Sequence, residues 1–384
     1  MPEAREFRVA LFSGNYNCVR DGANQALNRL AGYLLAQGAQ LRIYSPTVPE
    51  PAFLPTGDLV SIPSFAFPMG RDEYRFSYRL PADVRADIAA FAPNIVHVSA
   101  PDVLGHRAVS MARSSGLPLL ASVHTLFETY PAYYRLGFLE SPLVALLRRF
   151  YNRCDALVAP TSEIAQRLRG QGIIRPVSVW SRGVDHARFH PSRRDLDWRR
   201  SLGIGDGDLA VGFLGRLVLE KGLDVFAEVS RELTRRGVAH KVLIIGDGPA
   251  RAQFVEKVPH AVMAGFQAGD DLGRAVASMD IFLNPSTTET FGNVTLEAMA
   301  AGVAVVAADA TGARSLVENG KTGRLIAPRD VPGYADAIES YAKDRAALNA
   351  AGSAGHEAAK AYDWNSINQK VVDAYRVAMQ RPRP

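Results

Sequence analysis

The chain has 384 residues, 47% of them hydrophobic and 22% charged. That is a globular profile and too long for one ordinary core, so two domains are expected, and two cysteines, Cys18 and Cys154, exclude a disulfide framework and point to a reducing compartment. The formal net charge of +5 is unevenly placed: residues 1–190 carry 20 Lys+Arg against 15 Asp+Glu, whereas residues 191–384 carry 24 of each, which suits an anionic partner such as a phosphate or an anionic membrane surface but equally an ordinary solvated face.

At the N-terminus, MPEAREFRVALF has acidic residues and only a short apolar run, unlike a secretory signal. No later stretch reaches the roughly 20 apolar residues of a spanning helix. A cytoplasmic protein is expected, or one peripheral on the inner face of the cytoplasmic membrane. RVALF (8–12) reads as a buried strand and precedes a periodic stretch from about Gly22 to Ala36. The loop joining them, FSGNYNCVRDGANQAL (12–27), is not a GxGxxG dinucleotide fingerprint. Its Gly14 and Gly22 leave room for backbone to approach a phosphate or an acceptor, or serve only a simple βα turn. LRIYS (41–45), IVHVS (95–99), PLLASVH (118–124) and ALVAPT (156–161) read as further buried parallel strands with helices between them, a doubly wound α/β pattern. In SVHTLFETYP (122–131), His124 ends a strand, where such sheets meet ligands, so substrate contact is expected of a residue type that is otherwise more often structural. YYRLGFLESPLVALLRRFYNR (133–153) mixes aromatics, Leu and Arg, and reads as an amphipathic helix on the sheet or as one lying on a membrane. No basic run or aromatic-interleaved patch marks a nucleic-acid partner.

SVWSRGVDHARFHPSRRDLDWRR (178–200) is polar and Arg-rich and reads as a linker. The alternation then restarts with the strand and turn LAVGFLG (209–215), the amphipathic helix 222–237, and the runs KVLIIGDGP (241–249), VMAGF (262–266), DIFLN (280–284) and VAVVAA (303–308). DGD (206–208) falls in a turn before a strand and reads as surface loop rather than a metal motif.

The chemistry concentrates in two loops of this second half. STTETFG leaves the strand DIFLN, and NVTLEAMAA follows as a short, nearly apolar helix closed by Gly302. A capping box from Asn293 would need an acid at position 296, which is Leu296, so capping does not account for Glu297. A carboxylate in such a helix needs partners, and ligand hydroxyls would supply them. Glu289, one loop earlier, would meet a second set of hydroxyls, and the amides from Thr290 to Val294 form a helix start that can hold an anion. Hydroxyls at two places with a phosphate between them describe a sugar nucleotide. GRLVLEKG (215–222) adds Arg216 and Lys221 at the carboxyl end of the sheet, a fork and a point charge suited to a diphosphate.

These residues resemble the retaining GT-B glycosyltransferases of the family 4 type. ETFGNVTLE matches the E-x7-E motif and GRLVLEKG the diphosphate-binding Arg and Lys, while RGVDHARFHP, IIGDGP and GRLI match further landmarks in order. The resemblance implies an α/β fold of the GT-B kind, with two Rossmann-like domains facing across a cleft and a C-terminal helix crossing back to the N-terminal domain. The domains would be an acceptor domain over 1–180, a nucleotide-sugar donor domain over 190–361 and the terminal helix over 362–380. It implies a catalytic set of Arg216, Lys221, Glu289 and His124, with His124 facing the donor sugar. It implies donor binding by Glu297 on the ribose, by the amides of Phe291, Gly292, Asn293 and Val294, by the turn at Gly265 and Phe266 beside the base, and by Gly22. Gly14 and Tyr130 fall in the acceptor region. The partners implied are a nucleoside-diphosphate sugar, UDP- or GDP-linked, as donor substrate, with no cofactor and no metal required. VWSRGVDHARFHP carries a narrower likeness to enzymes that glycosylate membrane lipids, sulfoquinovosyl- and mannosyl-diacylglycerol synthases among them, so a membrane lipid or lipid-linked glycan is the expected acceptor. Transfer to a soluble acceptor, a sugar-nucleotide epimerase and a non-catalytic sugar-binding protein are the rivals. The binding protein has no use for a diphosphate clamp, and the E-x7-E loop with its terminal helix favours transfer over epimerisation.

Overall fold

Val211 and Phe213 lie in one hydrophobic core and Ala210 and Leu214, on the same strand, in another, as a sheet covered on both faces requires. The computed structural model describes residues 3–67, 71–129, 138 and 140–380. They form two compact units, one of Met1–Arg182 with Trp364–Pro384 and one of Gly183–Asp363.

The first unit runs β1 (Arg8–Phe12), α1 (Gly22–Ala36), β2 (Gln40–Ser45), β3 (Asp58–Ser61), a hairpin of β4 (Phe65–Phe67) and β5 (Arg71–Phe76), α2 (Ala82–Phe91), β6 (Ile95–Val98), α3 (Val103–Ser114), β7 (Leu119–Ser122), α4 (Glu140–Tyr151), β8 (Ala156–Ala159), α5 (Ser162–Gly170) and β9 (Val177–Val179). Its parallel sheet has the order β3-β2-β1-β6-β7-β8-β9. The second unit runs α6 (Leu196–Ser201), β10 (Ala210–Leu214), α7 (Leu223–Arg235), β11 (Lys241–Ile245), α8 (Arg251–Lys257), β12 (Val262–Gly265), α9 (Gly269–Ala277), β13 (Ile281–Asn284), α10 (Asn293–Ala300), β14 (Ala304–Ala308), α11 (Thr311–Arg314), β15 (Gly323–Ile326), α12 (Val331–Lys343) and α13 (Arg345–Ala359). Its order is β12-β11-β10-β13-β14-β15, again parallel throughout. In each unit the strand order reverses once, at β1/β6 and at β10/β13. Loops at the carboxyl ends of those strands diverge and leave a crevice.

The last helix, α14 (Trp364–Met379), belongs to the first unit, where it meets α1, β7, β8 and β9. Its Tyr375 hydroxyl is 2.8 Å from His97 Nδ1, and His97 Nε2 is 2.8 Å from Ser122 Oγ. Trp180 Nε1 donates to Asn368 Oδ1 at 3.2 Å.

The segment 178–200 carries the boundary between the two units, as the linker reading expects, but its ends are built into them. Its start is strand β9, Trp180 and Arg182 are buried in the first unit, and its end forms α6. Arg199 is fully buried and donates to the carbonyls of Ser278, Gly205 and Asp208 and to the Asp280 carboxylate. A guanidinium with that many acceptors replaces water with protein, which composition alone cannot reveal. Strands β3 and β9 and the hairpin, each too short or too exposed to show as an apolar run, are additions to the expected elements. Among the described residues no helix is long and apolar enough to cross a membrane.

Candidate active site

In the second unit the loops leaving β10 and β13 lean on each other. Gly222, at φ +73°, ends the 215–222 loop, and a Cβ there would come within 2.9 Å of the Pro285 carbonyl oxygen. Thr288 Oγ1 donates to the Glu220 carbonyl at 3.4 Å. Gly312, at the start of α11, leaves no space for a side chain because its Cβ would fall 2.5 Å from Glu289 Cβ. Close packing of these backbones therefore sets where Lys221 and Glu289 emerge. Lys221 Nζ lies 2.5 Å from Glu289 Oε1. Arg216 is exposed and, among the described residues, makes no ion pair or side-chain hydrogen bond. One cation thus pairs with Glu289 while the other stays open to an anion.

Helix α10 begins at Gly292, whose φ of +91° turns the chain, and no side chain caps it. The amides from Phe291 to Thr295 find no acceptor among the described residues. Free amides and the helix dipole together favour a negative group there. One turn further in, Asn293 and Glu297 share a face at i, i+4 spacing. Among the described residues Asn293 Oδ1 is buried without a partner. Glu297 is half-buried, and its carboxyl also lacks a hydrogen bond among the described residues. Desolvation pushes it up to about 8, against the pull of Arg188. Two acceptors on one face therefore await donors such as hydroxyls. Phe291 is in the core, its ring 5.9 Å from that of Tyr362, so it can offer a ligand only its backbone. Val294 is half-buried against the same core. At the carboxyl end of β12, Gly265 turns the chain at φ +71° and leaves Phe266 67% exposed, a flat apolar face.

In the first unit, Gly14 follows β1 and lies against Asp102, which follows β6; a Cβ at position 14 would collide with Asp102 Oδ2. Asp102 caps α3 through the Gly105 amide at 2.7 Å, and burial pushes its carboxyl up to about 6. Gly22 is the first residue of α1, but the Asp21 carboxylate already takes the Asn24 amide at 2.7 Å, so this helix start is partly spent before any phosphate arrives. His124 stands two residues beyond β7. Its Nδ1 is 2.8 Å from Arg182 Nη2, and its ring meets Trp180 edge-on at 5.5 Å. Burial first, then the Arg182 cation and His97, hold it well below the usual histidine range. Tyr130, Tyr134 and Leu139 lie outside the described residues.

The fold therefore gathers Arg216, Lys221, Glu289, Phe291 to Val294 and Glu297 at one strand-order reversal, with Gly265 and Phe266 further along the same edge. It sets Gly14, Gly22 and His124 at the carboxyl edge of the other sheet. Asp102, Arg182 and Arg188 were not anticipated. Arg182 and Arg188 appear in the sequence only within the RGVDHARFHP landmark, which says nothing of what they touch.

Residues 20–188 match the family described as Glycosyltransferase Family 4, and residues 208–344 match Glycosyl transferases group 1. A GDP-mannose-dependent alpha-mannosyltransferase of Mycolicibacterium smegmatis is 30% identical over 387 residues, 97% of this chain and 98% of the relative. The sulfoquinovosyl transferase SQD2 of Arabidopsis thaliana is 32% identical over 77% of this chain, which spans 59% of that relative's length. An alpha-monoglucosyldiacylglycerol synthase of Streptococcus pneumoniae is 25% identical over 78% of the chain and 70% of its own length. Among solved structures, the sucrose-phosphate synthase of Thermosynechococcus elongatus superposes with a TM-score of 0.80 at 19% identity, covering 96% of this chain and 98% of that one, a likeness of fold. The chain belongs to the GT-B glycosyltransferases of the family 4 type, hexosyltransferases that draw on nucleotide-sugar donors.

Proposed function

We propose that this protein transfers a hexose, with retention and without a required metal ion, from a GDP- or UDP-linked sugar to a hydroxyl of a membrane lipid or lipid-linked glycan. The observation that carries the donor reading is the cluster at the β10/β13 reversal, with a cation-held carboxylate and, among the described residues, an unpaired cation, an uncapped helix start and two acceptors without donors. In this reading Arg216 and Lys221 stabilise the charge that develops on the leaving diphosphate, which is where preorganised cations act most strongly. The amides opening α10 hold a phosphate, Glu297 and Asn293 accept from the ribose hydroxyls, and Glu289 accepts from a sugar hydroxyl. Phe266 offers its face to the base. Retention rests on the E-x7-E likeness.

Three features support the lipid acceptor. The basic surplus is confined to residues 1–190. Helix α4 buries Leu147, Phe150 and Tyr151 but leaves Leu146 half exposed beside exposed Arg148 and Arg149, with Phe138 just before it 74% exposed. One relative carries diacylglycerol in its name.

The test is nucleotide release from GDP-mannose, UDP-glucose and UDP-sulfoquinovose, each with and without EDTA, followed by sedimentation with anionic and neutral vesicles across a salt series. GDP-mannose comes first because the M. smegmatis relative is matched over nearly its whole length. Attraction through exposed charges fades over a Debye length of about 10 Å at 0.1 M salt, and inserted apolar groups leave a salt-resistant remainder. A chain that stays in solution with both vesicles while transferring rapidly to a water-soluble acceptor overturns the lipid reading. Loss of activity with EDTA overturns metal independence.

A further inference from the structure

Behind His124 in the first unit, the chain leaving β9 comes up against the chain leaving β7. We propose that Arg182 is a positioning residue that holds His124 as the neutral Nε2–H tautomer, so that the ring presents one fixed N–H donor to a substrate hydroxyl oxygen at the carboxyl end of this sheet. The inference rests on the reading that this edge takes substrate.

The tautomer follows from chemistry. A guanidinium has donors only, so the 2.8 Å contact between Arg182 Nη2 and His124 Nδ1 requires a lone pair on Nδ1. The proton of the neutral ring must then sit on Nε2. Among the described residues that nitrogen is buried and has no partner. A buried N–H without an acceptor is costly, and one at a strand's carboxyl end is best explained by a ligand oxygen that completes it. A charged ring is opposed by burial, by Arg182 and by His97 on β6, itself buried between Tyr375 and Ser122.

Arg182 is in turn immobilised. It is 4% exposed, and its Nη1 donates to the Trp180 and Ser181 carbonyls at 3.2 and 3.4 Å. Its guanidinium lies over the Trp180 indole at 5.0 Å from the centroid. Its charge is answered by Asp21, the carboxylate that caps α1. The planar fork reaches Nδ1 and two carbonyls at once while stacked on a ring, a combination that a flexible ammonium does not reproduce in full. The order of action is therefore Asp21 on Arg182, Arg182 on His124, and His124 on substrate.

The test reads the ring directly. In the full chain labelled with 15N-histidine, long-range proton–nitrogen correlation spectra report each tautomer against pH, with His124 assigned from His124→Asn. The wild-type ring should be neutral and Nε2–H down to pH 5. In Arg182→Met the ring should show mixed tautomers and titrate nearer 6.5, and kcat/KM for transfer should fall roughly tenfold, the scale of one misplaced buried hydrogen bond. Its pH profile should gain an inflection that the wild type lacks. Arg182→Lys, which keeps a donor and covers the case in which the Met chain fails to fold, should retain the tautomer and most of the transfer. GDP and UDP titration checks that the second unit is intact in each variant.

If the hydroxyl belongs to the donor sugar, acceptor-free hydrolysis of the donor slows in step with transfer; if it belongs to the acceptor, hydrolysis holds and the acceptor KM rises. A wild-type ring that titrates near 6.5, or an unchanged tautomer in Arg182→Met, overturns the proposal. So does a lost tautomer with full transfer, a result that would leave His124 structural and the nucleotide-binding reading of the second unit intact.

Discussion

Glutamine in place of Glu297 is expected to make the chain more stable at alkaline pH and worse at holding a nucleotide. Burial disfavours the charged carboxyl, so the folded chain keeps a proton that the unfolded chain surrenders. The group's folded value of about 8 stands above the ordinary 4.5, so its contribution to stability is fully present below 4.5, declines through that window and is gone above about 8. At about 1.4 kcal/mol for each tenfold change in proton affinity, the linkage is bounded at about 5 kcal/mol. Arg188 opposes the shift and the residue retains some water contact, so about 1–3 kcal/mol is the expected gain for Glu297→Gln at pH 9 relative to pH 5. Urea denaturation of both proteins at the two pH values measures it. The same variant should bind nucleoside diphosphate more weakly by about 1–3 kcal/mol, the scale of a buried polar group left without its partner, as read by calorimetric titration. A residue retained for ligand rather than for fold gives opposite signs in the two assays. If Glu297→Gln is no more stable than the wild type at pH 9, the carboxyl is not desolvated as argued. If nucleotide affinity is unchanged, the ribose role fails.

Other perturbations separate charge from fold. Arg216→Ala and Lys221→Ala should each lower turnover by roughly a hundredfold with little change in the denaturation midpoint, because neither side chain lies in the core and both act where charge develops; full turnover in either removes the diphosphate role. Glu289→Ala should impair transfer more than nucleotide binding, so equal losses in the two would move its contact from the sugar to the nucleotide. Tyr375→Phe should destabilise the first unit by about 1–3 kcal/mol in urea, since it leaves the buried His97 Nδ1 without its partner, while GDP and UDP binding by the second unit is unchanged.

Much of this could be read from local order. The two α/β halves follow from short apolar runs alternating with helix-length segments, because a parallel strand buried on both faces must be apolar at consecutive positions. Glu289 and Glu297 were legible together because nine consecutive residues of one loop and helix carry both, and Arg216 and Lys221 because one turn does. Other features depended on which chain ends meet. Nothing near Arg182 marks it as a partner of His124, 58 residues earlier in the chain; the pair exists because β7 and β9 flank β8 in one parallel sheet, which brings their carboxyl ends to the same edge. Arg199 looked like one charge in a polar linker until the carbonyls of Gly205, Asp208 and Ser278 closed around it. The protonation of Glu297 was likewise invisible in its letter. A sequence names the titratable group and its neighbours along the chain, but desolvation is set by every atom that displaces water from it, and most of those atoms arrive from elsewhere in the fold.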